Sequence, residues 1–137
     1  MIEFAIFDRT ATYPELNGLG IGGETVFSES IPEDATFPAV RFTLVDDPDF
    51  SSTQDDEGAA ELRKSRFQFD IYTHDPLEAK QIRDALTRCW ENYKGVSAGI
   101  SIYRGQRINS AGGGVPDPES ELSRGMVEFY IFWKLPS

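Results

Sequence analysis

One cysteine and one histidine are all that this chain of 137 residues offers to thiol or imidazole chemistry. Cys89 alone can form no intrachain disulfide and no thiolate-rich metal site, and it reads as a small core hydrophobe on the inner face of a helix. His74 has no second His or Cys at the spacing of a triad or a metal site, so it reads as a solvated turn residue. Long apolar runs are also missing. No stretch of about 18 apolar residues could cross a membrane as a helix. No basic segment leads into an apolar core as a signal peptide would, so a cytoplasm-like compartment is expected. Positive charge is scarce too: 13 Lys and Arg stand against 23 Asp and Glu, a net charge of −10. That balance opposes nonspecific attraction to phosphate backbones and anionic lipid.

What is present is enough for a core. Apolar residues make up 39% of the chain and ten residues are Phe, sufficient to fold without disulfides or metal, and the length predicts one domain over residues 1–137.

The strongest local signal runs from Glu61 to Tyr93. Phe67, Phe69 and Ile71 alternate with Arg66, Gln68, Asp70 and Tyr72, the period of a strand with one core face and one wet face. At Asp75 the period changes. Asp75 suits an N-cap, Pro76 the first helical position and Glu78 the carboxylate of a capping box. From Leu77, the residues Ile82, Ala85, Leu86, Cys89 and Tyr93 follow three-and-four spacing, predicting a helix over about 76–93 with Gly95 as its stop.

Three further strands are expected: Phe37 to Asp46, with Pro38 at its entrance and paired with the strand at 62–73; Ala98 to Asn109, with Gly105 as a bulge or twist point; and Leu122 to Leu135. Thr25 to Phe27 reads as a shorter one. Met1 to Thr12 fits a strand or a helix equally by period. The fold class is therefore α+β: a mainly antiparallel sheet of about four to five strands with the long helix packed on one face. In the last strand Val127, Phe129, Ile131 and Trp133 take one side, while Tyr130 and Phe132 stand on the nominally outward side. Those two rings either meet a partner or pack under the N-terminal segment.

Three loops invite chemical readings. Gly18, Gly20 and Gly23 match the spacing of a dinucleotide loop, but a short strand follows where a phosphate-receiving helix is required, so a flexible connection is the preferred reading. Asp47, Asp49, Asp55, Asp56 and Glu57 cluster in a long acidic connection that lacks the ligand order of a calcium-binding EF-hand. The tract from Ser110 to Glu121 has three consecutive glycines without the Lys-Ser/Thr of a Walker loop and reads as a second long loop. No catalytic, cofactor or metal residues are assigned. The composition of long strands, one firm helix and polar loops suits an assembly component better than an enzyme.

In order and spacing, the segments VFSESIP, FPAVRF, RFQFDIYT, EAKQIRDAL and MVEFYIFWK resemble the tail terminator, or tail-to-head joining, family of long-tailed bacteriophages. The resemblance covers nearly the whole chain and carries no catalytic signature. It implies an α+β subunit of a ring, commonly hexameric, that caps the tail tube, ends its polymerisation and docks to a head connector or head-completion protein. It also implies a virion location at the tail neck, host cytoplasm during assembly, and a first helix over Met1 to Ala11. The acidic stretch around Asp47 to Glu61 and the tract around Ala111 to Pro118 depart from any family pattern. If the acidic stretch faced a lumen, its carboxylates would keep passing DNA unbound. Rival expectations are a different neck or tail component, a head-closure or tube protein, or a small-ligand or metal-binding enzyme built on the glycine loop at 18–23.

Overall fold

The computed structural model describes residues 2–46, 62–116 and 122–134. Its elements run α1 (Ile2–Thr12), α2 (Pro14–Gly18), β1 (Val26–Ser28), β2 (Ala39–Asp46), β3 (Leu62–Thr73), α3 (Pro76–Trp90), β4 (Gly95–Ser97), β5 (Ile100–Pro116) and β6 (Ser123–Lys134). The six strands form one sheet in the order β1-β2-β3-β6-β5-β4. Only β1 and β2 run parallel; the other four pairings are antiparallel. The fold is α+β, with six strands among the described residues where four to five are expected, the addition being β4, a three-residue edge too short to show a period.

β3 forms over the predicted residues and pairs with β2 and β6 along its length. Phe67, Phe69 and Ile71 from β3, Val40 and Phe42 from β2, and Val127, Phe129, Ile131 and Trp133 from β6 are buried on one face. On that face they meet Ala79, Ile82, Ala85, Leu86, Cys89 and Trp90 of α3 in a single cluster. Phe69 is its hub, with ring centroids 6.4 Å from Phe42, 6.4 Å from Trp90 and 5.9 Å from Phe129.

Asp75 caps α3 through Oδ1, which accepts from Leu77 N–H at 3.0 Å. The capping box does not close. Asp75 N–H donates to Thr73 Oγ1 at 2.7 Å, so the threonine that ends β3 takes the position Glu78 would need. The helix stops at Trp90, three residues before the expected end. Asn92 adopts the left-handed conformation, φ 60°, and its N–H turns away to the Gly105 carbonyl at 2.7 Å. Asn92 thus serves as the C-terminal break, and Gly95 opens β4 instead. Arg9 finishes the terminus, donating from Nε and Nη2 to the Cys89 carbonyl at 3.0 and 2.7 Å while lying over the Tyr93 ring at 3.4 Å.

The N-terminal tie resolves to helix. Ile2, Ala5, Ile6, Thr10 and Ala11 are buried at helical spacing, whereas Phe4, inward in a strand, is 71% exposed. The glycine-rich connection contains a short helix, α2, with Pro14 in its first turn, joined to α3 by the Glu15–Arg88 ion pair. The expected second loop is also corrected in part: β5 continues to Pro116, pairing Ala111 with Met126 and Pro116 with Ser123. Non-local ladder bonds override the turn preference of its glycines, at the cost of three register shifts along the strand.

Candidate assembly surface

Among the described residues, the sheet face opposite α3 carries no helix. α1 packs against β1, α2 and β4 and touches the end of α3, where Trp90 Nε1 donates to Thr10 Oγ1 at 3.2 Å. The N-terminal segment therefore lies on the α3 side, and Tyr130 and Phe132 are not packed beneath it. They remain half-buried, 6.5 Å apart between ring centroids. Lys64, the cross-strand partner of Phe132, places its ammonium 4.0 Å from the centre of the Tyr130 ring and 5.8 Å from that of Phe132. This is cation–π geometry.

Further along the same face, Arg66 Nε donates to Glu128 at 2.9 Å. Beyond it is a four-residue node. Asp70 is fully buried and accepts from Arg41 Nη2 at 2.9 Å, Arg124 Nη2 at 2.8 Å and Gln68 Nε2 at 3.0 Å. Burial opposes ionisation of this carboxyl, but the hydrogen bonds from Arg124, Arg41 and Gln68 outweigh it, and its pKa is lowered from the ordinary value. Both guanidinium groups also approach the Tyr72 ring, at 5.6 and 5.7 Å. A hollow of about 390 Å³ opens beside them, lined in part by Phe37, Arg41, Tyr72 and Leu122. On the face predicted to be wet, Arg41, Lys64, Arg66 and Arg124 keep part of their exposure, while the acids Asp70 and Glu128 are sealed beneath their partners.

Arg41, Asp70, Arg124, Arg66, Glu128 and Lys64 went unassigned in the sequence. The register supplies the missing signal, since Arg41 stands directly opposite Asp70 across β2 and β3 and such opposed charges stabilise a sheet.

The other sequence candidates are not brought together. Asp47, Asp49, Asp55, Asp56 and Glu57 lie outside the described residues. The glycines at 18–23 lead from α2 into β1 rather than into a helix, and the backbone amides are already used: Gly20 N–H bonds the Asn17 carbonyl, Ile21 N–H that of Leu16, and Gly22 N–H the Thr25 hydroxyl. No helix terminus is presented to a phosphate there. His74 is exposed and meets only the edge of Phe37, at 5.7 Å, among the ring contacts of the described residues. Cys89 is buried, and burial pushes its thiol up to about 12, leaving it protonated and poorly nucleophilic at neutral pH. Among the described residues no three His, Cys, Asp or Glu side chains gather into a metal site, and no helix is long and apolar enough to cross a membrane.

No protein-family model matches the sequence, and no curated protein matches it either. Among solved structures, a chain of the virion of a native gene transfer agent (GTA) particle shares the fold, with a TM-score of 0.71 and 15% identity over 95% of this chain and 92% of that one. At that identity the likeness is one of fold.

Proposed function

We propose that this chain is a noncatalytic virion structural protein, a single-domain tail terminator that caps the tail tube as a ring and joins tail to head. The observation that carries the reading is the fold shared with a chain of a gene transfer agent virion across nearly the full length of both. The absence of a helix over the Tyr130–Phe132 face among the described residues supports it, because half-buried aromatic rings beside paired charges suit a protein contact. In this reading the protein associates with itself, as a hexamer in the commonest form, and with tail tube protein below and a head connector or head-completion protein above. DNA passes through without specific binding, and the acidic stretch containing Asp47, Asp49, Asp55, Asp56 and Glu57 suits a lumen that must not retain phosphate.

The test is functional. Added to polymerising tube protein, the purified chain should arrest growth and leave a ring on one end of each tube in negatively stained electron micrographs. A stable dimer with no affinity for tube ends overturns the terminator role. The fold likeness also admits a head-closure or tube protein; heads captured in the absence of tubes, or tubes built from this chain alone, would favour those roles respectively.

A further inference from the structure

The two edges of the sheet carry opposite charge. Between Arg9 and Arg41 the chain has no Lys or Arg and five acids, Glu15, Glu24, Glu29, Glu33 and Asp34. Between Glu91 and Asp117 it has no acid and three bases, Lys94, Arg104 and Arg107. The fold sends these segments to opposite ends of the strand order: the first contains β1, the second β4 and β5. Glu15 is engaged by Arg88, whereas Glu24 and Glu29, just before and just after β1, are exposed, as are Glu33 and Asp34 beyond them. On the other side Lys94, Arg104 and Arg107 are exposed.

Both edges are also open as strands. β4 covers β5 only at Ile100–Ile102 and Asn92 N–H donates to the Gly105 carbonyl, leaving the rest of the outer edge with no strand beside it among the described residues. Tyr103 and Ile108 on that edge are 44% and 38% exposed. β1 covers β2 only at Val40–Phe42, and Val45 beyond it is 46% exposed. Unpaired edges with exposed apolar residues are ready pairing surfaces.

The two charges cannot compensate one another within one molecule. Four strand spacings separate β1 from β5, about 19 Å, roughly twice the Debye length of about 8–10 Å at ordinary ionic strength. Acidic edge against acidic edge repels, and so does basic against basic, so a symmetric two-fold contact through either edge is disfavoured. The contact that satisfies both is head-to-tail, and a head-to-tail contact either closes into a ring or propagates as a filament.

We propose that the basic β4–β5 edge of one copy docks against the acidic β1 edge of a second copy, Arg104 and Arg107 of the first facing Glu24 and Glu29 of the next. The proposal rests on the self-assembly reading above and names the contact that produces it. The test uses two charge-reversed full-length chains, R104E/R107E and E24K/E29K, all at exposed positions, with circular dichroism confirming that each folds. Light scattering should show the native chain assembling at 50 mM NaCl, with at least about tenfold weaker association at 500 mM, and each reversed chain monomeric on its own. Mixed in equal amounts, the two reversed chains should assemble again, because one now carries two acidic edges and the other two basic ones. Native-like assembly of either reversed chain alone, or a mixture that stays monomeric while the native chain assembles, overturns the edge contact and leaves the ring reading standing. A native chain that stays monomeric at every salt and concentration overturns the edge contact, and one that also leaves no ring on tube ends overturns both.

Discussion

On β3 and β6, residues adjacent in sequence enter two different kinds of surface. Phe67, Phe69, Ile71, Phe129 and Ile131 turn toward α3 and are excluded from water; Lys64, Arg66, Asp70, Glu128 and Tyr130 turn away from α3 and are held by charge. The first face is specified by volume, which responds weakly to pH and salt. The second is specified by pairing, which responds to both. The same backbone therefore carries a stable side and an adjustable side, and their sensitivities should separate under mutation.

The largest effect belongs to the covered face. Phe69→Ala removes the ring shared by Phe42, Trp90 and Phe129 and should cost about 3–5 kcal/mol in urea unfolding. Gly105→Ala tests the same face by addition rather than removal. A Cβ at Gly105 would overlap the Trp90 carbonyl oxygen, a backbone atom at the end of α3 that cannot swing aside, so a loss of about 3 kcal/mol is expected. A loss below about 1 kcal/mol would mean that the helix terminus can lift from β5, and the covered face would then be less rigid than its packing implies.

Asp70→Asn is the matching test of the open face, with an intermediate effect. Breaking a fully buried ion pair costs about 3–5 kcal/mol, but Arg124 is 49% exposed and keeps part of its hydration, so about 2 kcal/mol is expected. The pH dependence gives the sign. Because the folded-state pKa of Asp70 is lowered, its contribution is complete above the unfolded carboxylate value of about 3.9 and disappears as pH falls through the depressed folded value. Stability measured from pH 6 downward should therefore fall more steeply in the native chain than in Asp70→Asn, the two converging at the acid end. Parallel curves would show that the node is neutral in energy and that the open face owes its order to something else.

Sequence legibility divides along the same line. β3 and the start of α3 were readable because their determinants are local: alternation within one strand, then Asp75 and Pro76 at a helix start. α2 and β4, at five and three residues, are too short to show a period, although Pro14 was a usable helix-start signal. β5 beyond Asn109 was hidden because Gly112 pairs with Gly125 through the ladder and contributes no side chain to a pattern. On the candidate surface, the outward position of Tyr130 and Phe132 followed from alternation alone. The burial of Asp70 did not, since it depends on Arg41 and Arg124, 29 and 54 residues away in the chain. Long-range register was the missing quantity in both cases.

The smallest effect should come from Lys64→Gln. Its ammonium sits 4.0 Å from the Tyr130 ring centre, and a partly exposed cation–π contact contributes about 0.5–1 kcal/mol. Urea unfolding should therefore shift only slightly, and the shift should shrink further in 500 mM salt. The informative comparison is with Tyr130→Ser in the assembly assay. If the rings are a protein contact, Lys64→Gln should leave assembly within about threefold of native while Tyr130→Ser reduces it by more than about tenfold, because buried aromatic anchors dominate contact energy and rim cations add little. Equal losses would make the lysine part of the anchor. A Tyr130→Ser chain that assembles normally would return the open face to a purely structural role and leave the sheet edges as the contact.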